Sequence, residues 1–219
     1  NGHTYKIMYS VELDDKKVFF LINVKDFGDI RFCYSYGEDI FEEIYGFRDG
    51  YSMVKLNRKR NFINRNNKLI SDTWFDGVGN FSDGYARVKL DYKYNFIDTN
   101  GKLISDTWYD WIDNFFDGYA GVNLGDKWNF INTDGKIISD TWYDRVYDFY
   151  DGYAKVRLDN KWNFIDNNGK RVSDTWYDDV YNFYDGYAIV QLDDKLNFID
   201  THGKCIRDTW FDWVDDLYN

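Results

Sequence analysis

The chain has 219 residues, a formal net charge of −11 and 21% aromatic residues, with no proline. This balance disfavours general nucleic-acid binding and adhesion to an anionic membrane, both of which need a basic surface. No apolar run reaches the roughly 18 residues that a membrane-spanning helix needs, so no insertion is expected. Cys33 and Cys205 fit no metal-ligand spacing and are expected to be free thiols. The chain begins at Asn1 rather than Met, and its compartment is left open.

Residues 1–39 read as an N-terminal β cap. YKIMYSVEL and KKVFFLINV are rich in Val, Ile, Phe and Tyr and flank Asp14-Asp15, a hairpin pattern, and DIRFCYSY adds a third strand. From residue 40 to 219 the chain repeats itself. Trp74, Trp108, Trp142, Trp176 and Trp210 fall at an interval of 34 residues, as do Gly50, Gly84, Gly118, Gly152 and Gly186. A period of this size signals a repeat architecture. We read five copies and a partial sixth. The first is degenerate, with Ile40 for Trp, Ser52 for Ala and Asn67 for Gly. Since Asn is among the few residues that tolerate a positive φ, Asn67, Gly101, Gly135, Gly169 and Gly203 are all expected there.

The copy at Gly152 shows the unit. Tyr153 to Leu158 alternates, with Ala154, Val156 and Leu158 on one face and Lys155 and Arg157 on the other. Asp159-Asn160 is a tight turn. Lys161 to Asp166 returns, with Trp162 and Phe164 on one side and Asn163 and Ile165 on the other. Asp166 to Gly169 turns again, Lys170 to Ser173 is expected as a short third strand, and Asp174 to Tyr184 as a loop that dips its aromatics into the core. The Ala-Val-Leu face is constant between copies and the opposite face drifts, so the first packs and the second meets solvent or a partner. The repeat-constant Trp74, Trp108, Trp142 and Trp176 are expected in the core.

KWNFIDNNGK (Lys161 to Lys170) followed by YDDVYNFYDGYAIV (Tyr177 to Val190) resembles the bacterial WG-repeat family, also called KWG repeats. The likeness covers about 180 residues, counted over motifs that recur with the repeat period. The family's Gly is Asn at Asn61, Asn95, Asn129, Asn163 and Asn197, and Ser-Asp-Thr-Trp stands where the family is usually proline-rich. The resemblance implies an all-β repeat region and carries no activity. A smaller likeness, of KWNFID and the following Asn-Gly, is to aromatic hairpin repeats of cell-wall-binding modules.

The expected fold is therefore all-β, an array of 34-residue three-stranded hairpin or meander units. An open superhelix is favoured over a propeller-like ring because the unit is short for a blade. Catalysis has little to rest on. His3 and His202 are the only histidines, so no triad can be proposed. The recurring aspartates match no calcium loop and read as turn caps, so neither metal nor cofactor is expected. Aromatics at positions that vary between copies are the functional lead. Trp111 and Trp213 replace Gly77, Arg145 and Asp179; Tyr147 and Tyr181 replace Gly79 and Asp113; Phe116, Tyr150 and Tyr184 replace Ser82. Such rings suit a protein partner or stacking on sugar, or they pack between copies and seal the array. A non-catalytic module that binds a protein is expected, with a glycan or cell-wall ligand as the alternative.

Overall fold

The computed structural model describes the backbone of residues 5–13, 16–23, 30–36, 39–66 and 68–212, and the side chains of 41–66 and 68–212. Asp14-Asp15, Asn67 and Trp213 lie outside these residues. The chain forms two compact units, residues 1–106 and 107–219. Among the described residues there is no helix.

Four strands, Tyr5–Leu13, Lys16–Asn23, Ile30–Tyr36 and Asp39–Phe41, form an antiparallel meander at the start of the first unit. Two repeat sheets follow it, built on the hairpins Tyr51–Leu56/Lys59–Asn64 and Tyr85–Leu90/Lys93–Asp98. The second unit holds three more, on Tyr119–Leu124/Lys127–Asn132, Tyr153–Leu158/Lys161–Asp166 and Tyr187–Leu192/Lys195–Asp200. Each hairpin is in register across its two-residue turn, as in Leu158 opposite Lys161 and Tyr153 opposite Asp166. Asp159 and Asn160 both have positive φ, 50° and 64°, the pairing that matches the twist of the flanking strands.

Each repeat sheet has three strands, as the sequence predicts, but the third is a different segment. It is a two-residue strand ahead of the hairpin, such as Arg145–Val146 against Arg157 and Val156. That pairing continues through Tyr147, whose N–H donates to the Lys155 carbonyl at 3.0 Å, to a bridge between Tyr150 and Tyr153. The expected loop is therefore an irregular strand that folds back through Asp151-Gly152.

The expected third strand, Lys170 to Ser173, shrinks to one bridge between Ile165 and Arg171. Asn163 explains why. Its side chain is fully buried, and its amide donates to the carbonyls of Ser173 at 2.9 Å and Thr175 at 2.8 Å. The chain arcs over this amide and rejoins the sheet at Tyr177, which exchanges both backbone hydrogen bonds with Trp162. Asn61, Asn129 and Asn197 hold two carbonyls of the following arc in the same way, and Asn95 holds that of Ser105 at 2.8 Å.

Within each unit the cores lie between consecutive copies. Phe164 of one hairpin packs with Tyr177, Val180, Phe183, Ala188, Val190 and Ile199 ahead of and within the next. Phe183 sits between Tyr153 and Phe164, with centroids at 4.4 and 4.7 Å, and Phe149 sits likewise between Tyr119 and Phe130. Phe81 does the same with Tyr51 and Phe62. The repeat-constant tryptophans are not the deepest rings. Trp74, Trp108, Trp142 and Trp176 are half-buried, while the next residue, Phe75, Tyr109, Tyr143 or Tyr177, is fully buried. Adjacent residues of an extended segment point to opposite sides. Tyr177, paired with Trp162, takes the inner side and leaves Trp176 at the rim beneath the Arg171 guanidinium.

Candidate ligand-binding surface

The strands that bury Ala154 and Val156 turn Lys155 and Arg157 outward. The same alternation governs the irregular strand before each hairpin. Phe149 and Phe183 go inward and seal one copy on the last, while Tyr150 and Tyr184, one residue on, go outward. The sealing role therefore falls to rings other than the variable ones.

Trp111, Phe116, Tyr147, Tyr150, Tyr181 and Tyr184 are all exposed, from 42% for Tyr147 to 71% for Tyr184. All six belong to the unit 107–219. Trp111, Tyr147 and Tyr181 stand on three successive sheets. The Trp111 indole N–H donates to Asp113 Oδ1 at 3.1 Å. Tyr147 lies 5.6 Å from the Trp162 ring with Lys155 Nζ 5.3 Å from its centroid. Tyr181 and Tyr184 come together on one cleft of about 390 Å³, whose walls include Tyr187, Ile189, Phe198 and Ile206.

One exposed ring escaped the sequence reading. Tyr92 is 86% exposed and occupies a turn position with φ 67°, a conformation costly for a bulky residue. The Lys89 ammonium lies 5.6 Å from its ring and 5.2 Å from that of Tyr94. The available signal was a tyrosine where other copies have Arg58, Asp126, Asn160 and Asp194.

Two aspartate sets are engaged by lysines and turn amides. Asp178 accepts the ammonium of Lys161 from the preceding hairpin and the N–H of Asp193 from the next turn. Asp144 does the same with Lys127 and Asp159, and Asp76 with Lys59 and Asp91. In each case the lysine first, and the turn amide second, hold the carboxyl below its ordinary pKa. Asp166 accepts the N–H groups of Asn168 and Lys170, closing its own turn. Gly101, Gly135, Gly169 and Gly203 all have positive φ, between 75° and 83°. Cys205 is a free thiol whose pKa burial pushes up. His202 sits in an exposed turn.

No curated protein matches the sequence. Among solved structures the chain is similar to Kluyveromyces lactis Hsv2p, at 12% identity over 97% of this chain and 79% of that one, with a TM-score of 0.37. It is similar to apo AztD from Citrobacter koseri at 14% identity, over 92% and 71% of the two chains, with a TM-score of 0.38. It spans 65% of KlHsv2 with loop 6CD replaced by a Gly-Ser linker, covering 75% of itself at 12% identity and a TM-score of 0.37. Likenesses at this level carry no argument about function. The model of the WG containing repeat matches residues 40–59, 62–94, 96–128, 130–162 and 164–195. These segments follow the repeat period and take in the outgoing strand of all five hairpins, so the chain belongs to the WG-containing repeat family.

Proposed function

We propose that this chain is a non-catalytic binding module that recognises a protein partner through the outward aromatic face of its repeats. The observation that carries this reading is the division of labour at successive residues. Phe183 seals the array while Tyr184 is left 71% exposed beside the Tyr181 cleft. Large rings that the fold does not need, set around a concave apolar wall, are the usual anchors of protein interfaces. The reading invokes no cofactor, nucleic acid or membrane.

A glycan ligand is the second reading, and Trp111 supports it. Its exposed indole lies beside the Asp113 carboxylate and directly opposite Asn123, the mixture of flat ring and polar side chains on which sugars stack. Affinity capture with the wild type and with Tyr181→Ser/Tyr184→Ser as baits separates the two. A defined protein held by the first and lost by the second supports the protein reading. Glycan-array binding that disappears with Trp111→Ala, with no such protein, replaces it.

A further inference from the structure

The drifting face has its own chemistry in each copy, and the fourth copy is cationic. Arg145, Lys155 and Arg157 occupy positions held by Trp111, Gly121 and Asn123 in the third copy and by Asp179, Ile189 and Gln191 in the fifth. Arg145 stands directly opposite Arg157, and Arg157 directly opposite Trp162. Directly opposed residues share a face, and like charges so placed destabilise a sheet. Tyr147 and Trp162 form the floor, with the Arg157 guanidinium 5.6 Å from the Trp162 centroid.

These cations are not neutralised by ion pairs within the fold. Lys59, Lys127, Lys161 and Lys195 each pair with an aspartate. Arg145, Lys155 and Arg157 have no ion-pair partner among the described residues, although acids outnumber bases 38 to 27 in the chain. Asp144 lies close enough to feel Arg157, but its carboxylate already accepts Lys127 and the Asp159 N–H. Arg157 donates to Asn160 Oδ1 at 2.8 Å, while its Nε is buried without a partner. Like charges held opposite each other on one face are a local conflict that an anion would relieve.

We infer that the face formed by Arg145, Tyr147, Lys155, Arg157 and Trp162 docks a short carboxylate-rich peptide segment carrying an apolar or aromatic side chain. The inference rests on the reading of the outward face as the binding surface and names the chemistry of the partner there. A short segment fits better than a long polyanion. The patch is local on a chain of net charge −11. That net charge opposes an extended phosphate backbone more than a short segment that stays on the patch. The second copy, in the other unit, repeats part of the motif: Arg87 and Lys89 hold the positions of Lys155 and Arg157, and Tyr94 lies opposite Lys89 as Trp162 lies opposite Arg157, while Gly77 and Gly79 stand for Arg145 and Tyr147.

The test is fluorescence polarisation with a labelled peptide of six glutamates around one phenylalanine, beside the same peptide with glutamines. The glutamate peptide is expected to bind at least about tenfold more tightly, and to weaken as salt rises from about 50 to about 300 mM. Lys155→Glu/Arg157→Gln is expected to remove that preference, and Lys170→Gln to leave it. Arg145→Gln is expected to weaken binding without lowering the melting temperature, because it relieves the opposed charges; this keeps the test independent of folding. Equal binding of the two peptides, or a preference untouched by these substitutions, overturns the inference. So does displacement of the peptide by tripolyphosphate or oligouridylate at lower concentration than by unlabelled peptide, which makes the face a phosphate site. If the peptide fails while Tyr181→Ser/Tyr184→Ser still loses a captured protein, this inference falls alone; if both fail, the outward-face reading falls with it.

Discussion

Asn163 and Ser173 hold each other twice: the Asn163 side-chain Nδ2 donates to the Ser173 carbonyl at 2.9 Å, and the Asn163 side-chain Oδ1 accepts the Ser173 N–H at 3.3 Å. The same oxygen accepts the Phe164 N–H at 2.8 Å. A buried side chain thus takes the place of backbone pairing where the chain leaves the sheet, which is why polar groups can be buried between two cores. Asn163→Ala is expected to lose about 2–4 kcal/mol in chemical denaturation, the cost of two donor bonds and the carbonyls they leave. Asn163→Asp sets a carboxyl against two carbonyl oxygens, which raises its folded pKa above the unfolded one. Its penalty relative to wild type should therefore be smallest near pH 4 and grow towards pH 7. A pH-independent penalty would contradict the hydrogen-bond assignment.

Gly169 has φ 75°, and a Cβ there would stand 1.9 Å from the carbonyl oxygen of Ile138 in the preceding copy. Gly101 and Gly203 meet Ile70 and Val172 in the same way. Left-handed strain and backbone overlap act together, so Gly169→Val is expected to cost about 2–5 kcal/mol. Gly152, where the space around a Cβ is open, should be the milder site. Equal melting temperatures for Gly169→Val and Gly152→Val would refute the contact argument.

The Asp178 carboxyl is held below its ordinary pKa by the Lys161 ammonium and then by the Asp193 N–H. A depressed folded pKa gives stability that is present above the unfolded pKa and lost as pH falls through the folded one. The gap in melting temperature between wild type and Asp178→Asn should therefore be largest near neutral pH and close as pH falls through the lowered folded pKa. A gap that widens on acidification would overturn the assignment. Because the pair is exposed, the effect is expected to be modest and reduced by salt.

Calcium should not support the fold. The carboxylates of Asp76, Asp144 and Asp178 are engaged by lysines and turn amides, and that of Asp166 closes a turn. Melts with chelator and with millimolar calcium are expected to agree within about 2–4 °C, the shift that about 1 kcal/mol makes in a protein of this size. A larger rise with calcium would mean that a site exists.

The period, the hairpins and their two-residue turns were legible because each depends on residues adjacent in sequence. Asp159-Asn160 and the alternation of Ala154, Val156 and Leu158 are local facts. The third strand was not legible in that way. Arg145 to Tyr150 pairs irregularly and shows no clean alternation, while Lys170 to Ser173 looks like a strand until Asn163 captures the arc beside it. Comparison between copies separated constant from variable rings, and the exposed Trp111, Tyr147 and Tyr184 came from that contrast. It could not rank Trp176 against Tyr177, since both positions are aromatic in each of these copies; only the pairing of Tyr177 with Trp162 decides which points inward. Tyr92 is not legible in the same way, because the residues of a tight turn report its backbone conformation rather than the exposure of the side chain it displays.

If the variable aromatics are set outward for binding, the fold does not need them, and equilibrium unfolding of Tyr184→Ser beside Tyr177→Ala decides this. Tyr177 is buried, with its hydroxyl 3.0 Å from Ser173 Oγ, and Tyr184, seven positions on, is exposed. Tyr177→Ala is expected to lose about 3–5 kcal/mol, as for other large rings deleted from a core. Tyr184→Ser should stay within about 0.5 kcal/mol of wild type. A loss for Tyr184→Ser comparable to that for Tyr177→Ala would contradict the claim and return the outward rings to the packing of the array.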